Sequence, residues 1–156
     1  MSAPEVRLAQ AADVTQLVAL MTEFYAESGF TLLPGPAARS FAQIIDDPRL
    51  GRVWLLGSDG QPAGYVVLTL GFSMEYGGLR GFVDDLFVRP VFRQRGLGSA
   101  ALGEVRRAAA RLGVRALLVE VGADNRRALS VYRRAGFDDS RRLLYSAPME
   151  PPVHAV

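Results

Sequence analysis

One strand–loop–helix–strand unit constrains the fold more than any other part of the sequence. The apolar segment 80–88 predicts a strand, and a polar loop follows it at 89–95. From 97 to 112 apolar residues recur at helical spacing. The segment 114–121 is mostly apolar, as expected of a buried strand in a parallel position. The unit therefore predicts a sheet that contains a parallel pair of strands.

The remaining pattern completes a single mixed α/β sheet. It predicts a strand at 6–9, a helix from Asp13, a break at 29–36 and a second helix at 37–47. Two strands within 52–72 are joined by a turn at Ser58–Pro62, and a further turn follows at 73–78. Near the C-terminal end, Asp124 or Asn125 caps a helix that runs to Ala135, and a last strand is predicted at 141–149. We expect one domain over 1–149 and a frayed tail at 150–156, with its lone His154 in solvent.

Composition excludes several kinds of chemistry. There is no cysteine, and all 18 basic residues are arginine. No thiolate or lysine can therefore carry an acyl group, form a Schiff base or bind a nucleotide phosphate. We expect no metal. The absence of a long apolar run and of a secretory h-region at 1–10 indicates a cytoplasmic protein without membrane contact.

The stretch FRQRGLGSAA at 92–101 has the features of an anion site. Free N–H groups at a helix start bind anions, and Gly96 and Gly98 allow a ligand close to the main chain. Arg93 and Arg95 add positive charge. The competing interpretation is a plain glycine-rich turn with solvated arginines.

Two nucleotide motifs fit this loop poorly. A P-loop requires lysine after the second glycine, but Gly98 is followed by Ser99. The dinucleotide fingerprint G-x-G-x-x-A matches Gly96–Ala101, with Glu120 at a suitable distance. That fingerprint follows its strand at once, however, whereas seven residues separate Val88 from Gly96.

A third interpretation takes in more of the chain. RQRGLG from Arg93 fits Arg/Gln-x-x-Gly-x-Gly/Ala, and Asn125, Ala128, Tyr132 and Gly136-Phe137 follow at specific spacing. Together they resemble the GNAT superfamily of acyl-CoA-dependent N-acetyltransferases, strongly over 82–137. The resemblance implies a GNAT-like α/β single domain with about four helices. Its central, mostly antiparallel sheet splays at the parallel pair 80–88 and 114–121, the family's fourth and fifth strands.

The resemblance also implies how acetyl-CoA is held, as co-substrate. The pyrophosphate would lie on the backbone of Gln94, Arg95, Gly96, Leu97, Gly98 and Ser99, near Arg93. Pantetheine would pair with the backbone of Leu86, Phe87 and Val88. Asn125, Ala128 and Tyr132 share one helical face, where the family uses the asparagine to hold the cofactor arm. Tyr132 would act as general acid toward the CoA thiolate; the alternative is a core aromatic.

An amine acceptor must lose a proton before it attacks, because an alkyl ammonium has a pKa near 10.4. Alternation places Asp84 with Leu86 and Val88 on one face of the strand, and Asp85 with Val83 and Phe87 on the other. Similar diamine-type acetyltransferases have an acid matching Asp84, which we take as the base. Asp85 would fix a loop or helix end. Glu75 is a second candidate catalytic acid, with water as a further alternative base; it would otherwise recognise a cation or be a solvated turn charge.

The predicted function is acetyl transfer from acetyl-CoA to a primary amine of a small molecule or peptide, by direct attack in a ternary complex. The alternative is a non-catalytic acyl-CoA-binding or regulatory module. Apolar walls for the acceptor would come from Phe24, Tyr25, Phe30 and Leu32–Leu33. The acids favour a positively charged acceptor. We expect no nucleic acid partner, because the paired arginines lie on solvated faces, and the family suggests a homodimer.

Overall fold

A computed structural model describes residues 2–155 of the chain. Its strands are β1 (Glu5–Leu8), β2 (Thr31–Leu32), β3 (Gly51–Ser58), β4 (Gln61–Ser73), β5 (Gly78–Val88), β6 (Ala116–Val119) and β7 (His154–Ala155). The helices are α1 (Val14–Glu27), α2 (Pro34–Asp46), α3 (Leu97–Leu112) and α4 (Arg126–Arg134). Within these residues no helix is long and apolar enough to cross a membrane.

The central sheet has five strands in the order β1-β3-β4-β5-β6. Every neighbouring pair is antiparallel except β5 and β6, which are parallel. The β3–β4 turn is Asp59-Gly60, and both residues have positive φ, 53° and 71°. Positive φ at both positions suits the twist of a two-residue hairpin. The predicted mixed α/β fold with a parallel pair is confirmed.

Each face of the sheet carries its own core. On β4, Val66 and Leu68 face the core that α3 completes, whereas Tyr65 and Val67 face the core of α1 and α2. Alternation along a strand produces this division. Burying one such aliphatic side chain contributes roughly 1.5–3 kcal/mol, so the central strand is held from both sides.

The strand β5 is irregular in its second half. Val67 pairs with Asp85 and Leu68 pairs with Val83, so Asp84 has no partner on β4 and forms a bulge. On the other side, β6 pairs with β5 only as far as Val83. The two parallel strands therefore separate after Val83, and β5 has a free edge toward its C-terminal end.

Four expectations about the elements differ from the structure. The predicted strand 141–149 does not form, and its residues are exposed without regular structure. The predicted frayed tail is ordered at His154–Ala155, which pairs with Thr31–Leu32, and its last residue, 156, lies outside the described residues. The His154 ring is not in solvent but lies 4.3 Å from the Phe30 ring centroid. Finally, α2 begins at Pro34 rather than at 37, since proline suits the first helical turn.

Candidate functional site

A cleft of about 700 Å³ opens where β5 and β6 separate. It is lined by the second half of β5, the first turn of α3, the length of α4 and the end of α1. The sequence-predicted residues that line it are Leu86, Phe87, Val88, Arg93, Gln94, Gly96, Leu97, Gly98, Ser99, Asn125, Ala128 and Tyr132. Those that do not line it are Arg95, Asp84 and Glu75, and Asp85 does not line it either. The structure therefore gathers most of the predicted cofactor residues, with Tyr132, in one place.

The loop before α3 points a row of main-chain donors into this cleft. Gln94 and Gly96 have left-handed φ values of 61° and 81°, which turn successive peptide groups the same way. The first main-chain bond of the helix runs from Ala100 N–H to the Gly96 carbonyl. Among residues 2–155, the six N–H groups of 94–99 have no protein acceptor. Such a row, at the positive end of a helix, stabilises an anion.

The two arginines of the loop are already engaged. Arg93 Nη2 donates to Glu27 at 2.6 Å and its Nε donates to the Val88 carbonyl at 2.8 Å. Arg93 thus ties the end of β5 to α1. Arg95 points away from the cleft, where its guanidinium lies 3.3 Å from an Asp59 carboxylate oxygen and over the Phe92 ring. The structure does not bring the Arg95 side chain to the predicted site.

Two other arginines line the cleft instead. Arg127 and Arg134 come from the first and last turns of α4. Neither pairs with a carboxylate in the part of the chain that the structure describes. The sequence analysis missed them because adjacent arginines on a helix are typical of a solvent-exposed face. Their seven-residue spacing, two helical turns, was the signal that they share a face.

Asn125 and Tyr132 are held by the structure of α4. The Asn125 Oδ1 accepts from Ala128 N–H at 3.1 Å and so caps the helix, which leaves its amide NH₂ to the cleft. The Tyr132 ring is buried edge-on against Phe137, with centroids 5.6 Å apart. Burial, together with the nearby Asp85 charge, raises the pKa of Tyr132 to about 12. The hydroxyl is therefore protonated at neutral pH and able to donate.

Asp85 is the most perturbed acid of the molecule. The Tyr65 hydroxyl donates to its Oδ2 at 2.7 Å. Burial raises the pKa of Asp85 to about 7, against the opposing effect of the Tyr65 hydrogen bond. After burial, the Asp85 charge is the next cause that raises the pKa of Tyr25 and of Tyr65. The Asp85 charge thus raises the pKa of three tyrosines, Tyr25, Tyr65 and Tyr132, of which Tyr65 bonds to it directly.

The other two predicted acids lie elsewhere. Asp84 stands on the bulge with much of its surface exposed, although partial burial of the carboxyl raises its pKa. Glu75 lies at the tip of the β4–β5 hairpin, where it pairs with Arg142 at 2.8 Å. The predicted assignment of residues to the two faces of β5 is wrong for one residue, Val83. Because of the bulge, Asp85 shares its face with Phe87, whereas Val83 belongs to the opposite core.

Sequence reasoning also missed the partners of Asp85. Tyr65 comes from β4, twenty positions before Asp85, and only the shifted register brings its hydroxyl to that carboxyl. Two adjacent acids inside an apolar strand were the available signal, but it did not tell which one is buried. No group of three or more metal-ligating side chains occurs within residues 2–155.

The chain matches the model of the acetyltransferase (GNAT) family over residues 15–137. A thialysine N-epsilon-acetyltransferase of Bos taurus is 29% identical over 54% of this chain and 52% of its own length. An uncharacterized N-acetyltransferase of Methanocaldococcus jannaschii is 35% identical over 36% of this chain and 25% of its own. The chain thus spans about half or less of these two relatives.

Solved structures cover nearly the whole chain. An integron cassette protein from the mobile metagenome of Cole Harbour Salt Marsh is 53% identical, with a TM-score of 0.88 over 95% of this chain and 92% of its own. An aminoglycoside N-acetyltransferase solved with CoA is 18% identical, with a TM-score of 0.79 over 96% and 97%. The latter shows likeness of fold. The family match, over most of the chain and across the whole cleft, identifies this protein as a member of the GNAT acetyltransferase family.

Proposed function

We propose that the protein transfers the acetyl group of acetyl-CoA to a primary amine by direct attack in a ternary complex. The observation that carries the proposal is the row of six unbonded N–H groups at 94–99. The diphosphate of coenzyme A is a compact anion, and main-chain donors at a helix start hold such an anion without a lysine. This matters in a chain whose loop arginines are engaged elsewhere.

The free edge of β5 would hold the pantetheine arm. In the described part of the chain, this strand has no partner on the side of β6 from Asp84 to Val88. The amide groups of pantetheine add to such an edge as a further strand would. An arm that runs along Leu86–Val88 from the 94–99 loop brings the thioester toward Tyr132, which lines the same cleft.

We assign the proton acceptor to Asp85 rather than to Asp84. An ammonium group with a pKa near 10.4 is free amine in only about one part in 10³ at pH 7. A base works best when its pKa lies near the working pH, and the pKa of Asp85 is about 7. The ammonium proton passes to Asp85, directly or through water, and the nitrogen lone pair attacks the thioester carbonyl carbon. As the tetrahedral intermediate collapses to the amide, the nitrogen releases its second proton to water.

Tyr132 would assist the departure of sulfur. When the carbon–sulfur bond breaks, the electron pair leaves with the sulfur as CoA thiolate. A thiol has a pKa of about 8.5, below that of Tyr132, so the thiolate does not need to take the tyrosine proton. A hydrogen bond from the Tyr132 hydroxyl stabilises the developing charge in a water-poor site.

The acceptor that fits best is a positively charged amine. Asp84 and Asp85 lie next to each other, and within the described chain neither has an arginine partner. The names of the bovine relative and of the aminoglycoside acetyltransferase both describe acetylation of nitrogen. Polyamines, amino acids, aminoglycosides and short peptides are therefore the compounds to try.

One experiment separates the enzyme from a binding module of the same fold. Acetyl-CoA binding is measured by calorimetry, and thiol release is then followed with the amine panel. We expect binding, and turnover with at least one cationic amine. Binding of acetyl-CoA without turnover of any amine supports the regulatory module. Absence of acetyl-CoA binding contradicts both the enzyme and the binding module.

A further inference from the structure

The imidazole of His154 holds a buried nitrogen that bonds to nothing in the described chain. Among residues 2–155, His154 Nδ1 is the only buried side-chain nitrogen or oxygen without a hydrogen-bond partner. An unpaired polar atom inside a protein costs free energy, and almost all such atoms in native structures are paired. The nitrogen therefore indicates a hydrogen-bond partner that these residues do not supply.

Main-chain pairing fixes His154 against the segment that follows α1. The strand β7 pairs with β2, and His154 stands opposite Leu32 in that pair. One residue earlier, the Val153 carbonyl accepts from Leu33 N–H at 2.7 Å. The histidine is thus attached to the segment 30–33, where the sequence predicts apolar walls for the amine acceptor.

A row of aromatic rings leads from the cleft to His154. Phe24 lines the cleft, and its ring centroid lies 5.6 Å from that of Tyr25. The Tyr25 ring lies 5.6 Å from the His154 ring, which in turn lies 4.3 Å from the Phe30 ring. Ligand sites are typically built in this way, from apolar and aromatic surface with a few polar atoms that fix orientation. The row therefore offers a carbon chain a surface that ends at one polar atom.

The other end of the row lies beside the carboxyl group proposed as the base. The Tyr65 hydroxyl donates to Asp85, and the rings of Tyr65 and Phe24 are 6.4 Å apart. After burial, the charges of Asp85 and then of Asp84 raise the pKa of Tyr25. The same aromatic row thus neighbours the proposed proton acceptor at one end and the unpaired histidine nitrogen at the other.

We propose that His154 Nδ1 binds the far end of the amine acceptor, which therefore carries an O–H or N–H group away from the amine that reacts. This inference rests on the proposed acyl transfer. The reacting amine gives its proton to Asp85, the carbon chain lies on Phe24 and Tyr25, and the terminal group donates to Nδ1.

The chemistry of the imidazole and the mobility of its neighbours suit this role. In a neutral imidazole one ring nitrogen carries the proton and the other accepts a hydrogen bond. Tyr25 and Phe30 are only partly buried, so their rings can turn to admit a ligand. A site that keeps a buried acceptor for its substrate discriminates against an analogue that lacks the donor, because the acceptor is then left unpaired. An amine that ends in a methyl group is such an analogue.

Long-range ¹H–¹⁵N spectra of the labelled protein test the contact, because the only histidine of the chain gives a single pair of ring nitrogen signals. Straight-chain amino alcohols of three to six carbons are titrated in the presence of coenzyme A, which allows no turnover. Alkyl amines of the same lengths, which lack only the hydroxyl, are the matched controls. We expect at least one amino alcohol to move the Nδ1 signal upfield, and the alkyl amines to leave it in place. A signal that no amino alcohol moves overturns the proposal.

Kinetics with the same pairs of compounds separate this contact from a structural role. We expect wild-type kcat/KM to be about tenfold higher for the best amino alcohol than for its alkyl amine. His154→Phe keeps a ring beside Phe30 and should bring that ratio to about one, while kcat/KM for the alkyl amine and KM for acetyl-CoA change less than about twofold. His154→Gln keeps an acceptor and should keep part of the preference. Equal losses for both substrates would make the role of His154 structural and contradict the proposal.

The outcomes also separate this inference from the proposed function. Turnover of alkyl amines and amino alcohols with equal kcat/KM supports acyl transfer and overturns the role of His154. A shift of the Nδ1 signal without turnover of any amine supports the binding of the acceptor at His154 and contradicts the proposed transfer.

Discussion

The two parts of the proposed site depend on different kinds of group: main-chain atoms for the cofactor and side chains for the acceptor. The side proposed to hold coenzyme A consists of main-chain groups: the N–H row of 94–99 and the edge of β5 that is unpaired among residues 2–155. The groups proposed to act on the acceptor are side chains: Tyr132, which lines the cleft, and Asp85, which does not line it and accepts a hydrogen bond from Tyr65. A main-chain site keeps its chemistry through most substitutions, whereas a side-chain site depends on each group. The comparison teaches where single substitutions should act on binding and where on turnover.

The largest expected effect is on the acceptor side. Asp85→Asn keeps a similar shape beside Tyr65 but removes the proton acceptor, and general bases contribute roughly 10²–10⁴ in rate. We expect kcat to fall about 10²- to 10³-fold, while acetyl-CoA affinity by calorimetry stays within about twofold. Asp84→Asn is the matched control and should cost less than tenfold. The reverse order of the two variants would return the base to Asp84.

The same variant should change how stability depends on pH. The pKa of Asp85 is about 7 in the folded protein, against an ordinary value of 3.8. Between these values the folded state binds more protons than the unfolded one, so wild-type stability decreases as pH rises from 4 to 7. Asp85→Asn lacks this decrease, worth up to about 4 kcal/mol. Urea unfolding at pH 4.5 and pH 8 measures it; parallel pH profiles would refute the burial of this charge.

Tyr132→Phe should give the next largest effect. The phenyl ring keeps the contact with Phe137, so stability should change little. Loss of the hydrogen bond to the thiolate should lower kcat about 10- to 100-fold, with KM for acetyl-CoA nearly unchanged. In the proposed mechanism the hydroxyl faces the leaving sulfur, so kcat should fall by a similar factor with every amine acceptor. A rise in KM with unchanged kcat would make Tyr132 a binding residue.

On the cofactor side, Gly96→Ala should weaken binding rather than turnover. Gly96 has a φ of 81°, and an added Cβ meets nothing within 4 Å, so the cost is backbone strain alone. We expect about 1 kcal/mol of lost stability and about tenfold weaker acetyl-CoA binding as the loop relaxes. Gly113→Ala, with φ 74° and open space at the far end of the same helix, should cost similar stability and no affinity.

The arginines should show the smallest effects. Arg127→Ala removes a positive charge that lines the cleft and should weaken acetyl-CoA binding about threefold, more at low salt than at high salt. Arg95→Ala removes a charge that pairs with Asp59 outside the cleft and should leave affinity unchanged. Equal losses for both variants would restore the sequence-based role of Arg95.

The structure of the loop proposed to hold the cofactor could be predicted from the sequence, and the placement of the acidic residues only in part. Glycine spacing reports main-chain shape, so Gly96, Gly98 and the helix after them were placed correctly. The parallel pair followed from apolar periodicity. A bulge leaves no signal in composition, and strict alternation therefore gave Asp85 the wrong companion at Val83.

The strand predicted at 141–149 shows another limit of reading one chain. Its pattern of Leu143, Leu144 and Tyr145 is that of a strand, but a strand exists only when an edge pairs with it. In the single chain no such edge is reached, and the side chains stay exposed. The sequence of a segment shows its preference for a strand, but it does not show which edge the strand would pair with.

The central claim is that the N–H groups of 94–99 hold the diphosphate of coenzyme A. Amide chemical shifts of the ¹⁵N-labelled protein, followed during titration with acetyl-CoA and separately with pantetheine, test it most directly. We predict that the amides of 94–99 shift strongly downfield with acetyl-CoA and remain still with pantetheine, which lacks the diphosphate. Saturating acetyl-CoA that moves other amides and leaves these six unchanged would contradict the account.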